Sequence, residues 1–136
     1  MKHFIYLLLF LTACESSNID NEKKVERPEV ESKKAEVMAI HDFAMEKMGE
    51  MVKLKAALKE KKIDSTQTKV INQAIQDLED ADKLMWDWMH GYKAQIVDTS
   101  STEIALEYLV DQKIKVDIVN IKIKESLKNG YELLEK

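Results

Sequence analysis

The feature that most constrains this sequence is an apolar stripe that recurs every three or four residues between positions 71 and 92. Its members are Ile71, Ala74, Leu78, Ala81, Met85, Trp88 and Tyr92. Because an α-helix has about 3.6 residues per turn, this spacing places all of these side chains on one face of a helix. That face must be buried against other elements, so the stripe predicts a helical domain with a shared core.

Two further segments also show helical spacing. The first runs from about Ala35 to Lys61 and carries two overlapping stripes, which indicate contacts with two neighbouring helices. One stripe is Val37, His41, Ala44, Met48, Met51 and Leu58, and the other is Met38, His41, Met45, Met48 and Val52. The third segment, from Thr102 to about Leu134, places Leu109, Val116, Val119, Ile123 and Leu127 at helical steps.

Residues 113–124 (KIKVDIVNIKIK) leave an alternative open within the third segment. They are rich in β-branched residues and alternate at nearly every second position, which is typical of a strand. No other segment offers a strand to pair with, and an isolated strand would leave its backbone groups unsatisfied. We therefore predict a helix here too.

Short connections between the three segments decide the predicted topology. Loops of about three to five residues between long helices force consecutive helices to lie antiparallel. The sequence thus predicts an all-α, up-down-up three-helix bundle formed by residues 35–136. A two-helix hairpin that is completed by dimerisation is the alternative.

The N-terminus has the pattern of a secretory signal. Lys2 and His3 form a short basic start, and an unbroken apolar run of eight residues follows, Phe4 to Leu11. As a helix this run rises only about 12 Å, whereas a bilayer core is roughly 30 Å thick. We therefore interpret residues 1–13 as a cleaved signal peptide. The cysteine that follows, Cys14, is the only one in the chain, which argues against its being a chance residue in an ordinary signal.

The residues around Cys14 identify a more specific signal. Leu11-Thr12-Ala13-Cys14 resembles the lipobox of bacterial lipoproteins. The resemblance implies that the chain is cut before Cys14 and that the cysteine sulfur receives a diacylglycerol, which anchors the protein to a membrane through its acyl chains. Glu15 stands where an aspartate would retain some lipoproteins in the inner membrane, so the outer membrane is favoured.

Residues 14–34 separate this anchor from the predicted bundle. They are polar, carry charges of both signs and include the chain's one proline, Pro28. Such a segment cannot bury enough apolar surface to offset the entropy lost on ordering. We predict a flexible tether that holds the bundle away from the membrane. A helix could begin at any point after Pro28, since proline is tolerated in a first turn.

Charge and motifs narrow the function. The formal net charge of −4 argues against a nucleic-acid partner, which requires a basic face. No serine or cysteine nucleophile has a base at a recognisable spacing, and three scattered glycines cannot form a phosphate-binding loop. The sequence therefore predicts a non-catalytic helical module of the cell envelope that binds a protein partner or has a structural role.

A cluster of methionine and histidine residues supports a second hypothesis. Met38, His41, Met45 and Met48 are spaced three, four and three residues apart and share one helix face. If the first two helices fold about a turn near residue 64, the segment that contains Met85 and Met89 lies beside them. Thioether and imidazole groups together suit Cu(I), so these six residues are candidate copper ligands. The alternative, which we favour, is that the methionines fill the core.

A second resemblance covers most of the predicted bundle. The run from Val37 to Leu58 (VMAIHDFAMEKMGEMVKLKAAL), together with residues 81–90 (ADKLMWDWMH), resembles a group of small bacterial lipoproteins. Members of that group often carry the automatic name "viral A-type inclusion protein". The resemblance implies a helical, coiled-coil-like envelope lipoprotein and assigns no functional residues.

Overall fold

The computed structural model of the chain describes residues 27–61 and 65–135, and all regular structure in these two ranges is helical. The helices are α1 (Pro28–Glu60), α2 (Ser65–Gly91), α3 (Ala94–Thr99) and α4 (Thr102–Leu134). The three long helices pack together, which confirms the predicted all-α bundle. The predicted signal peptide, Cys14 and the tether up to residue 26 lie outside the described residues.

Contacts at the ends of the helices give their directions. Arg27, just before α1, bonds to the carbonyl of Ser100 just before α4, and Lys61, just after α1, bonds to the carbonyl of Leu133 at the end of α4. The helices α1 and α4 are therefore parallel. Within the hairpin, the ring of His41 in α1 lies 5.5 Å from that of Trp88 near the end of α2, so α1 and α2 are antiparallel.

The buried residues follow a seven-residue repeat in each long helix. In α1 the buried positions include Val30, Val37, Ala44, Met51 and Leu58; in α2 they include Ile71, Ala74, Leu78, Ala81, Met85 and Trp88. In α4 they are Ala105, Leu109, Gln112, Val116, Val119, Ile123, Ser126, Leu127 and Gly130. A repeat of seven residues with alternating steps of three and four is the spacing of left-handed, coiled-coil-like packing.

Helix α4 is the helix on which the other two pack. Its contact with α1 is the most extensive, that with α2 is next, and the direct contact between α1 and α2 is smaller. Two buried polar side chains on α4 bond locally: Ser126 donates to the carbonyl of Ile123 and the Gln112 amide donates to Asp111. Among the described residues, the side-chain oxygen of Asn120 on the same helix is buried without a hydrogen-bond partner. No helix in the described ranges is both long and apolar enough to cross a membrane.

The first helix starts at Pro28, at the early limit of what the sequence left open, and not near Ala35. Residues 28–34 were assigned to the tether but form the first two turns of α1. Proline lacks a backbone N–H, but no intrahelical hydrogen bond uses the N–H of the first helical position, so proline is tolerated there. Val30 is fully buried, and burial of a valine side chain contributes roughly 1.5–3 kcal/mol towards the cost of ordering these turns.

Three further details of the structure differ from what the sequence predicted. The short helix α3 was not predicted, although Val97 within it is fully buried. The N-cap of α4 is Ser101, whose hydroxyl accepts from the Ile104 N–H. In the sequence, Ser100 and Glu103 have the spacing of a capping box, which predicts a cap one residue earlier. Val52, which the spacing places on the second stripe of the first helix, is 62% exposed, whereas Met38, Met45 and Met48 of the same stripe pack against the core.

Candidate functional site

The predicted methionine and histidine layer lies where α1 and α2 face each other. Met85 is fully buried in the core. Met38, Met45, Met48 and Met89 are partly buried and pack against that core. The structure thus places all five methionines in or beside the apolar interior, where a flexible thioether side chain fills gaps between less adaptable neighbours.

His41 has the most defined environment of the six candidate ligands. Its Nδ1 atom lies 2.8 Å from Asp42 Oδ1, and its ring packs against Trp88. The side chain is 20% exposed, so it lies at the edge of the core rather than on the buried face that the sequence indicated. A carboxylate that holds Nδ1 leaves Nε2 as the free ring nitrogen, which is the arrangement of many metal-binding histidines.

The register that the sequence predicted for the hairpin is confirmed by the contact between His41 and Trp88. His90, the other histidine of the bundle, is exposed and bonds through Nδ1 to the carbonyl of Trp86, so it faces away from this layer. Among the described residues, no group of three or more His, Cys, Asp and Glu could hold a metal ion. Any metal here would depend on thioethers with His41.

The aromatic contacts continue from this layer towards α4. The rings of Trp88 and Tyr92 are 5.5 Å apart, and those of Tyr92 and Tyr108 are 5.8 Å apart. Within the described part of the chain, the Trp88 indole nitrogen and the Tyr92 hydroxyl are buried without a hydrogen-bond partner. Burial therefore raises the pKa of Tyr92 above its ordinary value of 10.0, because the ionised phenolate would lose its hydration.

Arg27 closes the same end of the bundle, a role that no sequence pattern indicates. Its guanidinium donates to the carbonyls of Ser100 at 2.8 Å and Val97 at 2.5 Å. These carbonyls lie at the end of α3, where no further helical turn can satisfy them. In addition, Nζ of Lys34 in α1 lies 3.6 Å from Oδ1 of Asp98 in α3. The point at which the chain leaves the bundle towards Cys14 is thus fixed against the corner between α3 and α4.

The second feature missed by sequence analysis is the side of α4 that faces away from the core. We call it the outer α4 face and define it by Val110, Ile114, Ile118 and Ile121, which are between 48% and 57% exposed. At about 100° per residue, these four positions centre directly opposite the buried positions of α4. The outer face is therefore a second apolar stripe on a helix that already buries one.

Ion pairs within α4 border this stripe. Lys113 pairs with Asp117 at 2.9 Å, Lys115 with Asp111 at 2.6 Å, and Lys122 with Glu125 at 3.3 Å. Exposed apolar rows rimmed by polar residues are typical of interaction surfaces. By contrast, the groove between α2 and α4 is open to solvent and is lined mainly by charged and amide groups, among them Asp77, Asp80 and Asn129.

Comparison of the chain with protein-family models, with curated proteins and with solved structures finds no match.

Proposed function

We propose that this protein is a lipid-anchored, non-catalytic interaction module of the bacterial cell envelope, favoured at the outer membrane. The outer α4 face carries the proposal. Leaving four apolar side chains about half exposed to water forgoes the stabilisation that burial would give, at roughly 25 cal/mol per Å² of apolar surface. A partner that covers this row recovers that free energy.

The anchor is supported by the sequence Leu11-Thr12-Ala13-Cys14. Between Cys14 and Arg27 lie 13 peptide units, which span at most about 45 Å when fully extended. Because Arg27 is held at the corner between α3 and α4, this end of the bundle stays within that distance of the lipid. Anchored molecules then share a thin layer above the membrane, which raises their effective concentration for one another and for other envelope proteins.

The anchor is tested by substituting the one cysteine. We expect cells fed with labelled palmitate to label the wild-type chain and to leave Cys14→Ser unlabelled, and we expect the wild type alone to sediment with membranes. A matched Ser16→Ala variant, which changes a hydroxyl outside the lipobox, should behave as the wild type does. An unlabelled wild-type chain, or a Cys14→Ser chain that remains in the membrane fraction, would contradict the proposal.

A second candidate function is copper binding by the methionine and histidine layer. The observation that favours it is the His41 ring, which is held by Asp42 at Nδ1 on the helix that also carries Met38 and Met45. Titration of the Cys14→Ser chain with Cu(I) against a competing chelator, without oxygen, tests it. Tight one-to-one binding that a His41→Ala, Met45→Leu variant loses would establish a site; equal behaviour of the two chains would leave the methionines as core.

A further inference from the structure

The outer α4 face has a shape that limits what can cover it. Val110, Ile114, Ile118 and Ile121 follow one another at steps of four, four and three residues, so they form a continuous ridge over about three turns. A ridge of this kind packs best into the grooves of another helix. We infer that it binds the same face of a second copy of the chain, with the two α4 helices antiparallel. The inference rests on the proposed interaction role and names its partner.

The order of residues along the face sets the register. Glu107, Ile114, Ile121 and Lys128 are seven residues apart and lie on one line. When two such helices run antiparallel about a centre between residues 117 and 118, Ile114 of one copy opposes Ile121 of the other. Glu107 then opposes Lys128 of the second copy at each end. A pair of opposite charges thus flanks the apolar centre of the interface at each end.

A parallel arrangement of the same two helices is disfavoured by charge. In that case each residue of the line opposes its own copy, so that Glu107 faces Glu107 and Lys128 faces Lys128. Asp111 and Glu125, which border the ridge, would likewise come near their own copies. Like charges brought together at an interface oppose association and fix orientation. The sequence of charges along α4 therefore selects the antiparallel pair.

The borders of the ridge also favour a second copy over a lipid surface. A helix that lies on an anionic membrane presents free lysines around its apolar face. Here Lys113, Lys115 and Lys122 are each paired with a carboxylate of α4, and Lys124 lies 4.8 Å from the centre of the Phe43 ring. Because these lysines are already paired, they attract anionic lipid headgroups only weakly. In a dimer, by contrast, the lysines of one copy can pair with carboxylates of the other.

Site-directed disulfide formation in the full chain tests the pairing in its own membrane. The single native cysteine makes the experiment direct, since Cys14 is the proposed lipid site. In the inferred register, Ile118→Cys brings the two new sulfurs level to within about 1.5 Å along the helix axis, whereas Val110→Cys separates them by about 22 Å. Val52→Cys, at an exposed position on α1, is the control for random collision.

We expect a mild oxidant to give at least about ten times more disulfide-linked dimer with Ile118→Cys than with Val110→Cys or Val52→Cys, because a disulfide needs Cα atoms roughly 4.4–6.8 Å apart. Ile114→Cys copies mixed with Ile121→Cys copies that carry a different tag should also form a mixed dimer. This second measurement keeps the test valid if the Ile118→Cys chain folds poorly.

Three results would overturn the inference: equal crosslinking at residues 118 and 110, no dimer from either arrangement, or crosslinking of residue 118 to a protein of another mass. Palmitate labelling of the same cells reports on the anchor separately. A labelled chain that crosslinks to another protein leaves the proposed function standing and removes the second copy as partner. A crosslinked but unlabelled chain supports the pairing and removes the anchor.

Discussion

The inner and outer faces of α4 have similar compositions and opposite surroundings. Ile123 on the inner face is fully buried, whereas Ile121, two residues away, is 52% exposed. Each has a β-branched residue seven positions before it, Val116 for Ile123 and Ile114 for Ile121. The difference shows that the spacing of apolar residues identifies a helix and its faces but does not state what covers each face. In α4 one face is covered by α1 and α2, and the other is exposed to solvent.

The largest effect that this comparison predicts comes from truncating the two neighbours. Ile123→Ala leaves a cavity in the core and should lower the free energy of unfolding by about 2–5 kcal/mol. Ile121→Ala should change it by less than about 0.5 kcal/mol in the monomer. Urea denaturation at low protein concentration measures both. Equal losses from the two variants would show that the faces do not differ as described.

A pair of glycines gives the next effect. A Cβ at Gly130 would lie 2.6 Å from Leu54 Cδ2, whereas a Cβ at Gly49 would meet nothing within 4 Å. Gly49→Ala should stabilise the protein by up to about 1 kcal/mol through helix propensity. Gly130→Ala should lose that gain and cost about 1–3 kcal/mol, because Leu54 must move. Thermal unfolding distinguishes them; stabilisation by both would mean that the inner face has spare room beside Leu54.

Arg27 holds the corner between α3 and the start of α4. Arg27→Ala removes charge-assisted bonds to the carbonyls of Val97 and Ser100 and should cost about 1–2 kcal/mol. Relative to wild type, Arg27→Ala should accelerate amide hydrogen exchange more in α3 than at the centre of α4, because the Arg27 bonds hold only the corner between α3 and α4. Arg27→Lys should restore part of the loss, since one ammonium cannot reproduce the fork. Unchanged exchange in α3 would contradict the clamp.

The smallest predicted effect concerns Tyr92, which is buried without a partner for its hydroxyl in the described residues. Tyr92→Phe should be neutral or stabilising by up to roughly 1 kcal/mol. Burial raises the pKa of Tyr92, so the stability that its protonated form contributes is complete below pH 10 and is lost as pH rises through the folded-state pKa. Denaturation between about pH 9 and 11 should show a steeper fall for wild type than for Tyr92→Phe; parallel curves would contradict this.

Particular residues show how far the sequence could predict the fold. The inner face was predicted because Leu109, Val116 and Ile123 recur at helical steps, and the hairpin register was predicted because the turn near residue 64 fixes which positions meet. The strand-like alternation of residues 113–124 now has a physical explanation. Buried Val116, Val119 and Ile123 are interleaved with exposed Ile114, Ile118 and Ile121, so two helix stripes on opposite faces imitate a period of two.

The remaining features depend on contacts between residues far apart in the chain. Arg27 lies in a run of mixed charges, and nothing local indicates that its partners are carbonyls about 70 residues later. Likewise, Val52 has the spacing of a core residue but is exposed, whereas Met51 beside it is buried. His41 was expected on the core face and lies at its edge, because Asp42 and Trp88 hold its ring there. The periodicity of apolar residues predicts the faces of each helix, but only the packing of the helices determines which of these faces is exposed to solvent.

The central claim is that α4 buries one face within the chain and the other against a second copy. The most direct test co-expresses two full-length copies with different tags, extracts them in mild detergent and purifies them through one tag. We expect the second tag to be recovered with the wild type and with Val52→Asp, and to fall by at least about tenfold with Ile118→Asp, since a carboxylate cannot be buried unpaired at the centre of the pair. Helical content measured by circular dichroism should be equal in all three chains. Undiminished recovery with a folded Ile118→Asp chain would contradict the claim.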